Sequence, residues 1–295
     1  MAIGDKFTAI ANAIRGKTGS VDELTLDRMA IEISGISGGV VYEDTLLMGT
    51  RTDYINPRVT TIPAYGFYYN SVLEHINLPN VTHVGARAFY FSPKPITIKL
   101  PSVVELGEYA FSNATSLEEF SAPLLTTLGG RGCFEKCTNL KTVSLPLITD
   151  VPGNTFEKCT NLINIDAPNI TSIGASSFRD CSALTALDVS KVTTLSGMYA
   201  FKGCSSLSHL DFKSLTSRIG TMSGFDGCTG LKALVFRSET LISLSSDPFK
   251  NSGIANGTGY IYVPDDLVED YKVATNWATY ADQIKPLSEY VEVTE

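Results

Sequence analysis

A phenylalanine that recurs every 22 to 24 residues constrains the fold of this chain more than any other feature of its sequence. The series is Phe67, Phe89, Phe111, Phe134, Phe156, Phe178, Phe201, Phe225 and Phe249. Cysteine follows several members by three residues, as Cys137, Cys159, Cys181, Cys204 and Cys228. A fixed period of this length is typical of a solenoid, because each repeat forms one coil that cannot bury its apolar face alone. The sequence therefore predicts a stack of coils.

Each unit also predicts one short strand. In the unit that begins at Phe134, the apolar residues Val143 and Leu145 alternate with Thr142 and Ser144. Side chains alternate along a strand, so the apolar pair faces the core and the polar pair faces out. A proline after the inward pair ends several strands, at Pro79, Pro101, Pro123, Pro146 and Pro168. Coils stacked at about 4.8 Å would align the phenylalanines in a ladder.

Glycine recurs just ahead of the phenylalanine. The equivalent positions are Gly85, Gly107, Gly129 and Gly174. Because glycine tolerates a positive φ that other residues resist, this pattern predicts a left-handed turn at each of the four positions.

The repeated unit resembles that of the BspA-like leucine-rich repeat family, which has the form AFxxCxxLxxIxLPxxVTxIGxxAF. Residues 81–89, VTHVGARAF, and residues 170–178, ITSIGASSF, match this form closely, and the match extends over roughly residues 44–264. The resemblance implies a curved solenoid used for binding, without an active site of its own. Members of the family are similar to adhesins and surface recognition proteins.

The two ends of the chain depart from the repeat, and the sequence predicts three regions of an α/β repeat protein. Residues 1–39 form an N-terminal helical hairpin and a Gly/Ser linker, since apolar residues such as Phe7 and Ile10 recur at helical spacing. Residues 40–263 form a leucine-rich-repeat solenoid of about nine coils with short parallel strands. Residues 264–295 form a C-terminal helical cap and tail, with a helix over 267–274 that Asp265 and Asp266 begin.

Part of the N-terminal region is similar to a segment that opens many tail or baseplate-associated proteins of bacteriophages and prophages. Residues 5–36 carry the pieces AIANAIRGKTG and LTLDRMA, which depart from the usual segment at Asn12 and Arg28. This resemblance implies that the hairpin attaches the chain to a virion scaffold. A helical pair on a flexible tether also fits a homo-oligomer.

Charge and hydropathy exclude several partners. With 23 Lys and Arg against 31 Asp and Glu, the net charge of −8 offers no general attraction for nucleic acid. We find no run of 18 apolar residues, so membrane insertion as a helix is not expected. The first residues do not read as a cleavable secretion signal. We therefore expect the chain in a virion or outside the cell after lysis, otherwise in the cytoplasm, or exposed on the cell surface if it is an adhesin.

The sequence provides no catalytic, metal or cofactor motif. The six cysteines lack a CxxC pair, and they are interpreted as a reduced, buried ladder of small side chains. The three histidines, His75, His83 and His209, lie in different coils and outside any HExxH or GxSxG motif. We expect no enzyme activity and no cofactor.

The outward positions of the strands, on the concave face, are the candidate ligand-binding residues. They are His75, Asn77, Thr97, Lys99, Glu119, Thr142, Asn164, Asp166, Asp188, His209 and Asp211. Asp166, Asp188 and Asp211, with His209 beside them, form an acidic stripe that would suit a cationic ligand, an array of sugar hydroxyls or Ca²⁺. The alternative interpretation is a solvated face that is polar for solubility.

The pattern as a whole predicts non-enzymatic recognition. The first hypothesis is a phage or prophage tail-associated protein that presents its repeat surface to a protein or glycan on a host cell. The alternative is a bacterial BspA-like protein of the cell surface, which acts in adhesion or protein–protein interaction.

Overall fold

The computed structural model describes residues 52–195, 197–216, 224–244 and 246–291. In these ranges the chain is a parallel β-solenoid with little helix, as the repeat predicts, and it has about ten turns where the sequence predicts about nine coils. The predicted N-terminal helical hairpin and linker, residues 1–39, lie outside the described residues.

The front of the solenoid begins as a six-stranded parallel sheet to which each of the first six coils gives one strand. The strands are β1 Asp53–Ile55, β3 His75–Asn77, β5 Thr97–Lys99, β7 Glu119–Ser121, β9 Thr142–Ser144 and β11 Asn164–Asp166. Equivalent residues of successive coils lie side by side, as Thr142 does with Asn164. The middle residue of every strand is buried and its neighbours are exposed or half-buried, which confirms the predicted alternation. We call the outward side of these strands the strand face.

A second row of two-residue strands closes the other side of each coil. One sheet contains β2 Thr61–Ile62, β4 His83–Val84, β6 Glu105–Leu106 and β8 Thr127–Leu128. A second sheet contains β10 Asp150–Val151, β12 Ser172–Ile173 and β13 Thr194–Leu195. The second residue of each strand is buried, so the core lies between the two rows.

Four further parallel strands continue the solenoid to its C-terminal end. They are β14 His209–Phe212, β15 Ala233–Phe236, β16 Tyr260–Val263 and β17 Ile284–Pro286, paired in this order. β17 lies in the region predicted as a helical cap, yet it extends the sheet because Ile284 pairs with Ile261.

The region after β16 contains one short α-helix, α1 Val268–Val273. The remaining helical segments are 3-10 turns at Asp265–Leu267, Ala278–Gln283 and Leu287–Glu289. The predicted helical cap is therefore corrected: the helix has six residues, and a strand and 3-10 turns make up much of the rest.

Aromatic packing positions the segment that follows α1, a helix that lies within the predicted range 267–274. Trp277 is fully buried, with its ring centroid 5.9 Å from that of Phe236 and 6.0 Å from that of Phe249. Its indole nitrogen donates to the carbonyl oxygen of Ile242 at 2.7 Å, and the Tyr271 hydroxyl accepts from the Ile242 amide at 2.9 Å. Tyr271 and Trp277 are six residues apart, a spacing that does not place both on one face of a helix, so the chain bends to bury both.

The predicted phenylalanine ladder is confirmed. Consecutive rings of the series stack with centroids 4.8 to 5.7 Å apart and planes within 17° of parallel. Each ring is buried by the coils before and after it, and Phe89 to Phe249 are inaccessible to solvent. Backbone hydrogen bonds also join successive coils beside the phenylalanines. For example, the Phe156 amide donates to the carbonyl oxygen of Ser177 at 2.8 Å.

The prediction of left-handed turns at Gly85, Gly107, Gly129 and Gly174 is wrong. None of these four glycines has a positive φ, which occurs instead at nearby residues such as Arg87, Tyr109 and Ser176. The glycines allow the backbones of successive coils to approach closely. For example, a Cβ on Gly107 would lie 2.5 Å from the backbone nitrogen of Ala86. At the spacing of stacked strands, no side chain fits there.

Candidate functional site

The structure places the predicted ligand-binding residues in two columns on the strand face. Strand register joins His75, Thr97, Glu119, Thr142 and Asn164 in the first column. In the second column, Asn77 pairs with Lys99, Ser144 with Asp166, and Asp211 with Val235 of β15. The predicted face therefore exists, but its columns are interrupted between β11 and β14.

The interruption falls on the coil segment 185–189. This segment lies between β11 and β14 in sequence but forms no strand. Within the described part of the chain, Ala186, Leu187 and Asp188 make no backbone hydrogen bond to either neighbouring coil. A long contact of 3.5 Å from the Thr185 amide to the carbonyl oxygen of Ile163 marks the edge of the break. The front sheet is thus split at this coil.

A groove of ≈ 760 Å³ opens over this split. Its lining consists of Asn164, Ile165, Asp166, Thr185, Ala186, Leu187, Asp188, Val189, Ser190, His209, Asp211, Lys213 and Tyr290. Five predicted residues are brought together here, namely Asn164, Asp166, Asp188, His209 and Asp211. The other six, which are His75, Asn77, Thr97, Lys99, Glu119 and Thr142, lie on the strand face outside the groove.

The three aspartates of the predicted stripe have different partners. Asp166 accepts a hydrogen bond from the Ser144 hydroxyl at 3.0 Å. Asp188 accepts one from the backbone amide of Ser190 at 2.9 Å, at a position where earlier coils carry a proline without an N–H. These donors are neutral, and both carboxylates are exposed.

Asp211 differs because a cation compensates its charge. Arg237 approaches its carboxylate with two nitrogens, Nε at 3.0 Å and Nη2 at 2.8 Å. This bidentate geometry is among the stronger forms of ion pair. Across the described ranges, no three His, Cys, Asp or Glu side chains are arranged to hold a metal ion.

The C-terminal segment forms one wall of the groove. Tyr290 lies with its ring centroid 5.0 Å from that of Tyr262 on β16. At the C-terminal end of the solenoid, the outward residues of β15 are covered, since Ala233 is 8% exposed and Val235 is fully buried. Sequence reasoning missed Tyr290 and Lys213 because neither lies in the columns that the repeat defines.

The cysteine ladder has no place in the site. All six thiols are free and buried, and five donate to the carbonyl oxygen of a phenylalanine in the preceding coil, as Cys181 does to Phe156 at 3.0 Å. Burial raises the pKa of Cys133 and of Cys228 to about 12 and that of Cys181 well above its usual range. The ladder is therefore structural, with inert thiols.

We expect the native chain to resist thiol reagents. A thiolate is the reactive species, so a raised pKa and lack of access both suppress the reaction near pH 8. An aromatic disulfide dye should label none of the six cysteines in the folded protein and all six after unfolding in guanidinium. Rapid labelling of even one thiol in the folded state would contradict this account of the ladder.

Exposed aromatic residues form a second surface, on the first coils. Tyr69 is 46% and Phe91 38% exposed, and their rings stack with centroids 5.3 Å apart. Both residues have a positive φ, which bulky side chains adopt at a cost of about 1–2 kcal/mol. The equivalent positions are Asn113 and Gly203 in later coils. The two residues of this aromatic surface are far in sequence from the residues that line the groove.

Comparison with solved structures places the fold among leucine-rich repeat proteins. A leucine-rich repeat protein from Bacteroides ovatus ATCC 8483 is similar with 25% identity and a TM-score of 0.52, over 67% of this chain and 54% of that one. The chain thus spans about half the length of that protein. A leucine rich cell surface protein from Faecalibacterium prausnitzii A2-165 has 19% identity and a TM-score of 0.34, over 78% and 77% of the two chains. No match was found among curated proteins.

Among the described residues, no helix is long and apolar enough to cross a bilayer.

The comparisons support one of the two resemblances found in the sequence and not the other. The similarity of residues 5–36 to phage tail-associated proteins receives no support from them. By contrast, six copies of the BspA type leucine rich repeat region match the chain, over residues 52–163 and 149–263. Because these matches cover well over half of its length, the chain belongs to the BspA-type leucine-rich repeat family.

Proposed function

We propose that the chain is a non-enzymatic binding protein whose strand face recognises a protein or glycan on a cell surface. The observation that carries the proposal is the groove over the split sheet, where five of the predicted residues converge. Concave sites with a few converging polar groups are the usual form of binding sites. Membership of a family of repeat proteins supports a binding role rather than catalysis.

The candidate nucleophiles also favour binding over catalysis. The cysteines are buried with raised pKa values, so they are poor nucleophiles. His209 lies in the groove, where its ring nitrogen is 3.3 Å from the Ser208 hydroxyl. Hydrogen bonding to a ligand is the role that this geometry supports.

Attachment of the protein is a separate part of the proposal. In its first form, residues 1–39 hold the chain on a phage or prophage tail, and lysis releases it to meet a host cell. This form rests on the resemblance of residues 5–36, which lie outside the described residues. In the alternative form, the chain is displayed on a bacterial surface. Tail and lysis genes beside the gene would favour the first form, and surface-anchoring genes would favour the second.

We expect large residues on the strand face to abolish surface binding. The Thr142→Arg/Asn164→Arg variant places two long side chains at neighbouring positions of β9 and β11. Fluorescent full-length chain is added to a panel of bacterial and epithelial cells, and bound fluorescence is measured by flow cytometry. The wild type should stain at least one cell type, and the variant should lose at least about tenfold in affinity because the added bulk excludes the partner.

The matched control changes the same two coils away from the strand face. Asn139→Arg/Asn161→Arg adds equal charge and bulk at exposed positions and should bind as the wild type does. Equal staining by the strand-face variant, or a wild type that stains none of the cells, would contradict the proposed function.

A further inference from the structure

We propose that the groove over the split sheet binds a neutral, hydroxyl-rich oligosaccharide. This inference deepens the proposed function and rests on it. The charge of the groove, its polar groups and its size all favour such a ligand.

The charges that line the groove almost cancel. Among the described residues, the lining contains Asp166, Asp188 and Asp211 with −3 and Lys213 with +1. Arg237, which pairs with Asp211 from outside the lining, adds +1 and leaves −1. A strongly charged ligand of either sign gains little from such a balance. Asp166 and Asp188, which form no ion pair among the described residues, repel anionic sugars in particular. Charge complementarity therefore favours an uncharged ligand.

The free hydrogen-bonding capacity of the groove matches hydroxyl groups. An ionised carboxylate accepts about four hydrogen bonds, and the structure gives Asp166 and Asp188 one donor each. Bonds from a neutral hydroxyl to an ionised acceptor are stronger than those between neutral groups. Asn164 adds an amide that both donates and accepts, and the Thr185 hydroxyl, which donates to the carbonyl oxygen of Ile163 at 3.5 Å, adds an acceptor. A sugar, whose hydroxyls do both, can use all four residues.

The break in the sheet adds backbone groups to this inventory. The N–H and C=O groups of Ala186, Leu187 and Asp188 have no backbone partner within the described chain. Backbone groups in folded proteins are almost always paired, with water or a ligand where no protein group serves. Their place beside the groove supports a ligand that carries several polar groups.

The size of the groove and the aromatic ring of Tyr290 favour an oligosaccharide over a protein as the ligand. A groove of ≈ 760 Å³ is in the range of small-molecule sites, which is about 300–1,000 Å³. A stable protein interface needs about 800 Å² on each partner, a broad surface rather than a groove. Tyr290 in the lining combines an apolar ring with a polar hydroxyl, a combination that suits the apolar face and polar rim of a sugar.

The test is calorimetric titration of the full chain with millimolar maltotriose, cellotriose, mannotriose and chitotriose. Trigalacturonate and tetralysine serve as anionic and cationic probes. At least one neutral trisaccharide should bind, and Asp166→Ala/Asp188→Ala should weaken its binding at least about tenfold. Asp166→Asn/Asp188→Asn keeps shape and one acceptor oxygen per residue, so its loss should be smaller. Thermal unfolding establishes that both variants are folded.

Two control variants keep the test specific to the groove. Glu105→Ala/Asp150→Ala removes the same charge from exposed positions of β6 and β10 and should bind normally. Tyr69→Asn/Phe91→Asn removes the exposed aromatic surface and should also bind normally. Loss of binding in the aromatic variant instead of the aspartate variant would overturn the proposal.

The remaining outcomes separate this inference from the proposed function. If no neutral trisaccharide binds, or if only trigalacturonate or tetralysine binds, the inference is wrong. If surface binding is still lost in Thr142→Arg/Asn164→Arg, the proposed function stands and its partner is of another class. If surface binding survives that variant, the proposed function fails, whatever the trisaccharides do.

Discussion

Replacing Phe156 with alanine is expected to lower the free energy of unfolding by about 3–5 kcal/mol. The ring is inaccessible to solvent, with its centroid 5.5 Å from that of Phe134 and 5.6 Å from that of Phe178. The coils on both sides are held by the backbone ladder, so they cannot collapse into the cavity. The loss should be measured by urea denaturation followed by circular dichroism.

Phe91→Ala is the matched control, since it makes the same chemical change at an exposed position. It removes two ring contacts at the surface, one with Tyr69 and one with Tyr90, and alanine keeps the Cβ that makes the positive φ costly. The loss should therefore stay below about 2 kcal/mol. Equal losses in the two variants would show that burial of the ladder does not determine stability. Because repeat proteins unfold by coils as well as globally, the slope of the transition should be compared with the midpoint.

The ladder could be predicted because the sequence pattern and the packing have the same period. Each coil repeats one environment, so a residue that is buried in one coil, such as Val143, has buried equivalents such as Ile165 in the next. The strand and the 3-10 turns that follow the helix after β16 could not be predicted, for the opposite reason. That segment occurs once, and the burial of Trp277 against the last coil outweighs local helical preference.

The candidate site was only partly predictable. Asn164, Asp166 and Asp188 could be placed on the strand face because the repeat fixes which residues point outward. The split in the sheet could not, since segment 185–189 has the same alternation as the paired strands beside it. Strand pairing depends on the relative position of neighbouring coils, which the sequence of a single repeat does not determine. Tyr290 reaches the groove from outside the repeat.

Gly107→Ala is expected to destabilise the chain by about 3 kcal/mol, the upper end of the usual range for overpacking. The added Cβ would lie 2.5 Å from the backbone nitrogen of Ala86 and 2.7 Å from the carbonyl carbon of Gly85. Neither atom can move by side-chain rotation, so the two coils must separate. Separation strains the hydrogen bond from the Gly107 amide to the carbonyl oxygen of Val84, now 2.7 Å. Alanine lowers the entropy of the unfolded chain, but this gain of about 0.4–1 kcal/mol is too small to offset the clash.

Gly153→Ala separates close approach from the general effect of replacing glycine. The nearest atom to its added Cβ would be the carbonyl oxygen of Ala175 at 3.1 Å, a contact that a shift of a few tenths of an ångström relieves. Its stability should therefore change by less than about 1 kcal/mol. Hydrogen exchange should show faster opening around residues 84–110 in the Gly107 variant alone. Equal stability of the two variants would mean that coil spacing tolerates a methyl group, and the role assigned to these glycines would be wrong.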